Sequence, residues 1–210
     1  MDELAPTRDD TPARSSIDLL RAFIAIEIPP SLQEKLHREM ESLRARLDRT
    51  FVRWVVPENI HLTLKFLGDT PITKLDALKE FLAAELARFQ PFEISVGNMG
   101  VFPNFSRPRV IWLGVGDKGK LSSLQRHTER AASQIGSAPE KRRFSAHLTL
   151  GRVKQDIRSE ARHQIRQVVE ENSGLELGNI HVDTIHLFQS ELKANGAVYR
   201  SLYQINLEKK

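Results

Sequence analysis

The tetrapeptide His-Leu-Thr-Leu occurs twice, at residues 61–64 and at 147–150, each time inside an apolar run: "NIHLTLKFLGD" and "RFSAHLTLGRV". That repeat restricts the fold more than any bulk property. In a β-strand, residues two apart project to the same side. His61 and Thr63 then point together, about 6.6 Å apart along the strand at about 3.3 Å per residue. Leu62 and Leu64 point the other way, into a core. The second copy repeats the arrangement, with His147 and Thr149 outward and Leu148 and Leu150 inward. A single His-x-Thr is ordinary on a half-buried strand and specifies little. Two copies in matching contexts predict two similar halves, related by a pseudo-twofold axis, whose His–Thr faces meet across a cleft.

Two imidazoles flanking one substrate atom are what concerted proton transfer needs: one neutral ring removes a proton while one imidazolium supplies another. The ordinary histidine pKa of about 6.5 makes both forms accessible near neutral pH. Threonine hydroxyls beside them can donate hydrogen bonds to a developing oxyanion.

The rest of the chain predicts elements that would carry such a site. "RAFIAIEIP", from Arg21, reads as a buried strand that Pro29 and Pro30 end. Ser31 and Glu34 have capping-box spacing, and Leu32, Leu36, Met40, Leu43 and Leu47 share a helical face. "LGDT" is expected to break the first motif strand, and Pro71 suits a first helical position. Leu75, Leu78, Leu82, Leu86 and Phe89 mark a second helix. "FEISVG" and "RVIWLGV" read as strands around a loop, "NMGVFPNFSRP". Leu121, Leu124, Ala131 and Ile135 mark a third helix, and Ile157, Ala161, Ile165 and Val168 a fourth that Gly174 stops. "IHVDTIHLFQS" and "AVYRSLYQINL" are closing strands, with Asn195–Gly196 as a hairpin turn signal. The expected fold class is α+β: two pseudo-symmetric lobes, each an antiparallel sheet with helices on its outer face and the active-site cleft between them. Residues 1–20 read as a disordered polar tail, and residues 21–210 as one bilobal domain.

Composition excludes several chemistries. With no cysteine among 210 residues, disulfides, thiolate nucleophiles and cysteine-based zinc sites are absent. No apolar run approaches the ~20 residues that span a bilayer. The acidic start, with Asp2, Glu3, Asp9 and Asp10, is unlike a transit peptide, and a cytoplasmic location is expected. Lys and Arg exceed Asp and Glu by 31 to 27, which permits a phosphate-bearing partner without demanding one. There is no HExxH, GxSxG or GxxxxGK[ST] motif.

The order of motifs resembles the 2H phosphoesterase superfamily, and within it the RNA 2′,3′-cyclic phosphodiesterases of the LigT/ThpR group, formerly described as 2′-5′ RNA ligases. The resemblance runs from about Arg21 to Leu207. "RAFIAIEIP" is similar to the family's opening strand, and "W…HLTLKFLGD", with Trp54 and Pro57, to its first motif block. "MGVFPNFSRPRVIWLGV" is similar to the central segment, "FSAHLTLGR" to the second motif, and "SELKANGAVYRSL" to the closing hairpin. One departure is Ala146, where the family commonly has proline; the fixed φ at the strand entry is lost.

The resemblance implies hydrolysis of RNA or nucleotide 2′,3′-cyclic phosphodiester ends to 2′-phosphomonoesters without metal or cofactor. His61 would be the proton donor and His147 the proton acceptor. Thr63, Thr149 and Arg152 would bind the phosphate. Arg152 lies five residues after His147, so an unbroken strand would put it on the wrong face, and Gly151 would have to bend or bulge the chain. Run backwards, the same machinery joins RNA ends through a 2′-5′ linkage without ATP. The implied partners are RNA with 2′,3′-cyclic phosphate ends, tRNA fragments among them, or small cyclic nucleotides, with no membrane and a monomeric protein.

The remaining histidines, His37, His127, His163, His181 and His186, read as surface or packing residues. Phe102, Phe105 and Trp54 either stack a base or pack the loops. Lys65, Arg107 and Arg109 either attract an RNA backbone or are solvated charges. Two alternatives stand beside the leading one: a 2H phosphodiesterase acting on another cyclic or 2′-5′-linked nucleotide, and a non-catalytic module that binds RNA ends.

Overall fold

A computed structural model describes residues 18–47, 50–117, 119–193 and 196–207. Among these residues, nine strands and four α-helices follow one another as β1 (Leu19–Glu27), α1 (Pro30–Arg46), β2 (Val52–Trp54), a 3-10 turn (Pro57–Asn59), β3 (His61–Pro71) and α2 (Ile72–Leu86). Then come β4 (Phe92–Phe102), β5 (Val110–Gly116), α3 (Lys120–Gln134), β6 (His147–Val153), α4 (Ser159–Glu171), β7 (Glu176–Val182), β8 (Thr184–Lys193) and β9 (Gly196–Asn206). The α+β expectation holds.

Two antiparallel sheets are present, ordered β3-β1-β8-β9 and β2-β6-β5-β4-β7. Laid side by side, β3-β1-β8-β9 matches β6-β5-β4-β7, with β2 as an extra edge strand. The two HLTL strands thus hold equivalent places. The lobes are nevertheless not the two halves of the chain: β4 crosses to the β6 sheet, and β8 and β9 return to the β3 sheet. The helices also exchange. Helices α2 and α3 pack together over the β3 sheet, while α1 lies against β7 and α4 against β4. Leu62, Leu64, Leu148 and Leu150 are all buried in one core shared with the leucines of the helices.

Several local expectations are corrected. Helix α1 starts at Pro30, with Pro29 as N-cap and no side-chain cap, so the Ser31–Glu34 capping box does not form. Proline at the first helical position needs no cap for a missing N–H. Pro71 is the residue before α2 rather than its first residue. The "LGDT" stretch does not end β3, because Gly68, at φ 69°, turns the break into a bulge that β1 still pairs across. "NMGVF" is strand and not loop; the positive φ of Asn98 absorbs the irregularity at the Gly97–Met99 register shift. "IHVDTIHLFQS" is split at Asp183 into β7 and β8, which belong to different sheets. Strand β1 begins at Leu19, two residues before the Arg21 at which the first strand is expected. Most of the expected tail, residues 1–17, lies outside the described residues, as does Asn195 of the turn signal.

Candidate active site

Strands β3 and β6 lie against each other, although one sits in each sheet. In both, the pattern of partly exposed and buried residues is the one expected of HxT. His61, Thr63, His147 and Thr149 are partly exposed, and the intervening leucines are buried. The cross-strand registers are also identical. His61, Leu62 and Thr63 stand opposite Glu27, Ile26 and Ala25 of β1. His147, Leu148 and Thr149 stand opposite Gly114, Leu113 and Trp112 of β5.

Each strand then carries a bulge at the same step. The register skips Leu64 between Thr63 and Lys65, and skips Leu150 between Thr149 and Gly151. A bulge places two consecutive residues against one partner and inverts the alternation beyond it. Leu150 and Gly151 therefore both face the core, and Arg152 comes out on the same side as His147 and Thr149. The parity obstacle to Arg152 is removed by this bulge. Gly151 is required by space as well: a Cβ there would lie 2.8 Å from Val52 Cγ1 and 3.1 Å from the Trp54 ring.

The equivalent inversion in β3 corrects the expectation for Lys65. It is buried, pairs with Glu129 of α3 at 2.9 Å, and donates to the Ala138 carbonyl at 2.6 Å. It ties β3 to the segment leading into the second motif and is not available to an RNA backbone. Phe66 occupies the position equivalent to Arg152. Its side chain is 67% exposed, and its ring lies 6.2 Å from Phe23 on the His61 face. Reading the run as a regular alternation misses it; the matching spacing of HLTLKF and HLTLGR is the signal that could have found it.

The histidines share a hydrogen-bonding device. His61 Nδ1 lies 2.9 Å from the Asn59 carbonyl and His147 Nδ1 lies 2.7 Å from the Ser145 carbonyl. A carbonyl only accepts, so each Nδ1 carries the hydrogen and donates it. Each Nε2 then carries the lone pair. Ala146 does not disturb this arrangement: its carbonyl accepts from the Val115 amide, holding the strand entry without proline.

Aromatic rings fix the imidazoles. His61 stacks on Phe23 at 4.6 Å and meets the Tyr199 ring edge-on at 5.1 Å. Phe23, Ala25 and Phe188 form a small buried cluster apart from the main core, with Tyr199 packed on it. Burial in these surroundings lowers the His61 pKa to about 4, against a smaller opposing effect of the Asn59 carbonyl. His147 meets Phe102 edge-on at 5.0 Å, and Phe102 stacks on Trp112 at 4.9 Å. Gly100 makes room for that stack, since a Cβ there would be 2.3 Å from the Trp112 ring. Burial raises the Tyr199 phenol above the ordinary value, while the charges of Arg152, from the other sheet, and Arg21 act in the opposite direction.

Of the other residues singled out, Phe105 lies under Arg166 of α4 at 5.5 Å, and Trp54 packs against the main core. His127 is bound to Glu85, and His181 to Glu93. His186 is buried and stacks on Phe188 at 5.4 Å, which makes it a packing residue on the His61 face. Among the described residues, no group of three His, Asp or Glu side chains is placed to hold a metal ion, and no helix is long and apolar enough to cross a membrane.

Twin HxT strands with matched bulges define a class, and comparison with known proteins agrees with it. The family model described as LigT like Phosphoesterase matches residues 26–112 and 114–199. The chain belongs to this family. It is 35% identical over 183 residues to the RNA 2′,3′-cyclic phosphodiesterase of Methanothermobacter thermautotrophicus, covering 87% of this chain and 96% of that one. The protein of the same name from Aquifex aeolicus is 30% identical over 184 residues, covering 86% and 94%. A crystal structure from Thermus thermophilus superposes with a TM-score of 0.71 at 26% identity, over 90% of this chain and 98% of that one. Escherichia coli LigT complexed with 3′-AMP gives a TM-score of 0.73 at 23% identity, over 91% and 100%. This last likeness establishes the fold alone.

Proposed function

We propose that this protein hydrolyses 2′,3′-cyclic phosphodiester ends of RNA or nucleotides to 2′-phosphomonoesters by two-histidine acid–base catalysis. One observation carries the proposal: two HxT strands from different sheets lie together, each with its imidazole Nδ1 tied to a carbonyl and no hydrogen bond to its Nε2 among the described residues. His147 Nε2 takes a proton from water as the water oxygen attacks phosphorus. The bond from phosphorus to the 3′-oxygen breaks, and the His61 imidazolium supplies the proton to that oxygen. Thr63, Thr149 and Arg152 hold the nonbridging oxygens, whose charge grows in the transition state. Phe66 offers an exposed ring on which a base can lie.

The proton-donor role asks something particular of His61, since burial disfavours its charged form in the free protein. A bound phosphate restores it, because a nearby negative charge favours the imidazolium. Substrate and proton therefore enter together. Ligation is the same displacement with the 5′-hydroxyl of a second RNA in place of water: His147 takes the hydroxyl proton, the 5′-oxygen attacks the cyclic phosphate, and the 3′-oxygen leaves with the proton from His61, so that a 2′-5′ linkage forms without ATP.

Incubation with 2′,3′-cyclic mononucleotides and with a cyclic-ended RNA, in the presence and absence of EDTA, tests the proposal. The expected product is the 2′-phosphate at a rate unchanged by chelator. A 3′-phosphate product would overturn the leaving-group assignment, and loss of turnover in EDTA would overturn metal-independent catalysis. Binding without turnover would mark a module that only holds RNA ends.

A further inference from the structure

We propose that Arg53 and Arg152 form a paired-guanidinium subsite for the phosphodiester preceding the terminal cyclic phosphate, so that the site grips an RNA chain and not only a mononucleotide. The inference rests on the proposed phosphodiesterase activity. Strand β2 is three residues long, yet it sets Arg53 directly opposite Arg152 of β6. Its flanking residues anchor it: Val52 is buried, and Trp54 packs beside Gly151. Directly opposed residues in an antiparallel pair project from the same face. Arg53 therefore shares the face that the β6 bulge gives to Arg152. Both are exposed.

Like charges placed directly opposite one another destabilise a sheet. Neither guanidinium has a carboxylate partner among the described residues. By contrast, Arg44, Arg46, Arg130 and Arg166 all pair with a glutamate. The other cross-strand neighbour of Arg152 is Val110, which offers no countercharge. Arg109, the residue before Val110, is also exposed and has no ion pair among the described residues, and its carbonyl accepts from the Val153 amide at the same end of the sheet. An anion is what this edge lacks. With Arg152 on the reacting phosphate, Arg53 stands one strand spacing further out, about 5 Å, toward the neighbouring phosphate of a chain. A planar guanidinium fork suits phosphate oxygens.

The test compares wild type, Arg53→Gln and Arg53→Lys on a 2′,3′-cyclic mononucleotide and on a short RNA with a 2′,3′-cyclic end. Arg53→Gln is expected to lower kcat/KM for the RNA by about tenfold at low salt and to leave the mononucleotide within about twofold. The slope of log kcat/KM against log salt for the RNA becomes shallower by about 1. Arg53→Lys recovers part of the loss, and the melting temperature does not fall, since a repulsion has been removed. Equal losses on both substrates, or unchanged turnover of the RNA, would overturn the subsite. If wild type turns over neither substrate, the proposed activity itself fails, and the subsite with it.

Discussion

Replacing His147 with alanine is expected to lower kcat/KM toward 2′,3′-cyclic nucleotides by about 10³-fold, and His61→Ala by a similar factor. A positioned general acid or base contributes about 10²–10⁴-fold. The double variant should be little worse than either single one, because groups that act in one concerted step do not add. Neither change should unfold the protein. The motif strands are anchored by Leu62, Leu64, Leu148 and Leu150, all on the opposite face, and circular dichroism with a melting curve checks this directly. A loss of only a few-fold in either variant would mean that its imidazole is not a proton carrier.

The second large effect is on pH dependence and follows from the His61 pKa of about 4. The unfolded chain has the ordinary value of about 6.5. Between these values the unfolded chain binds one proton more than the folded one, so stability rises with pH across that window. The contribution is complete above about 6.5 and is lost as pH falls toward about 4, on the order of 3 kcal/mol. Denaturant unfolding of wild type and His61→Gln from pH 4 to 7 should diverge by that amount, with wild type losing more on acidification. Parallel curves would contradict the burial of a neutral imidazole. Kinetics carry the same signature. The acidic limb of kcat/KM reports the free protein and should lie near 4. The limb of kcat reports the complex and should lie higher, because the bound phosphate favours the imidazolium.

The parts legible in the sequence are those governed by period two. His61 and Thr63, with His147 and Thr149, could be placed on a common side of their strands because the leucines between them demand the core. Lys65 and Arg152 could not be placed that way. A bulge after each Thr-Leu inverts the alternation, turning Lys65 inward and bringing Phe66 and Arg152 out. Nothing in HLTLK by itself announces a bulge, whereas Gly151 in HLTLG hints at one. The exchange of strands and helices between lobes was equally hidden, since β8 pairing with β1 is a long-range choice that no local pattern encodes. Arg53 is not legible in the sequence, because a three-residue strand has no periodicity to read. The depressed pKa of His61 comes from Phe23, Phe188 and Tyr199 on three other strands, so it exists only after the sheet has formed.

The most direct measurement is a crystal structure of the protein with a 2′-nucleotide product bound. The expected result is one phosphate with oxygens within about 3 Å of Nε2 of both His61 and His147, and with the Arg152 guanidinium on the same group. A phosphate held by one histidine alone, with the other imidazole turned to solvent, would contradict it.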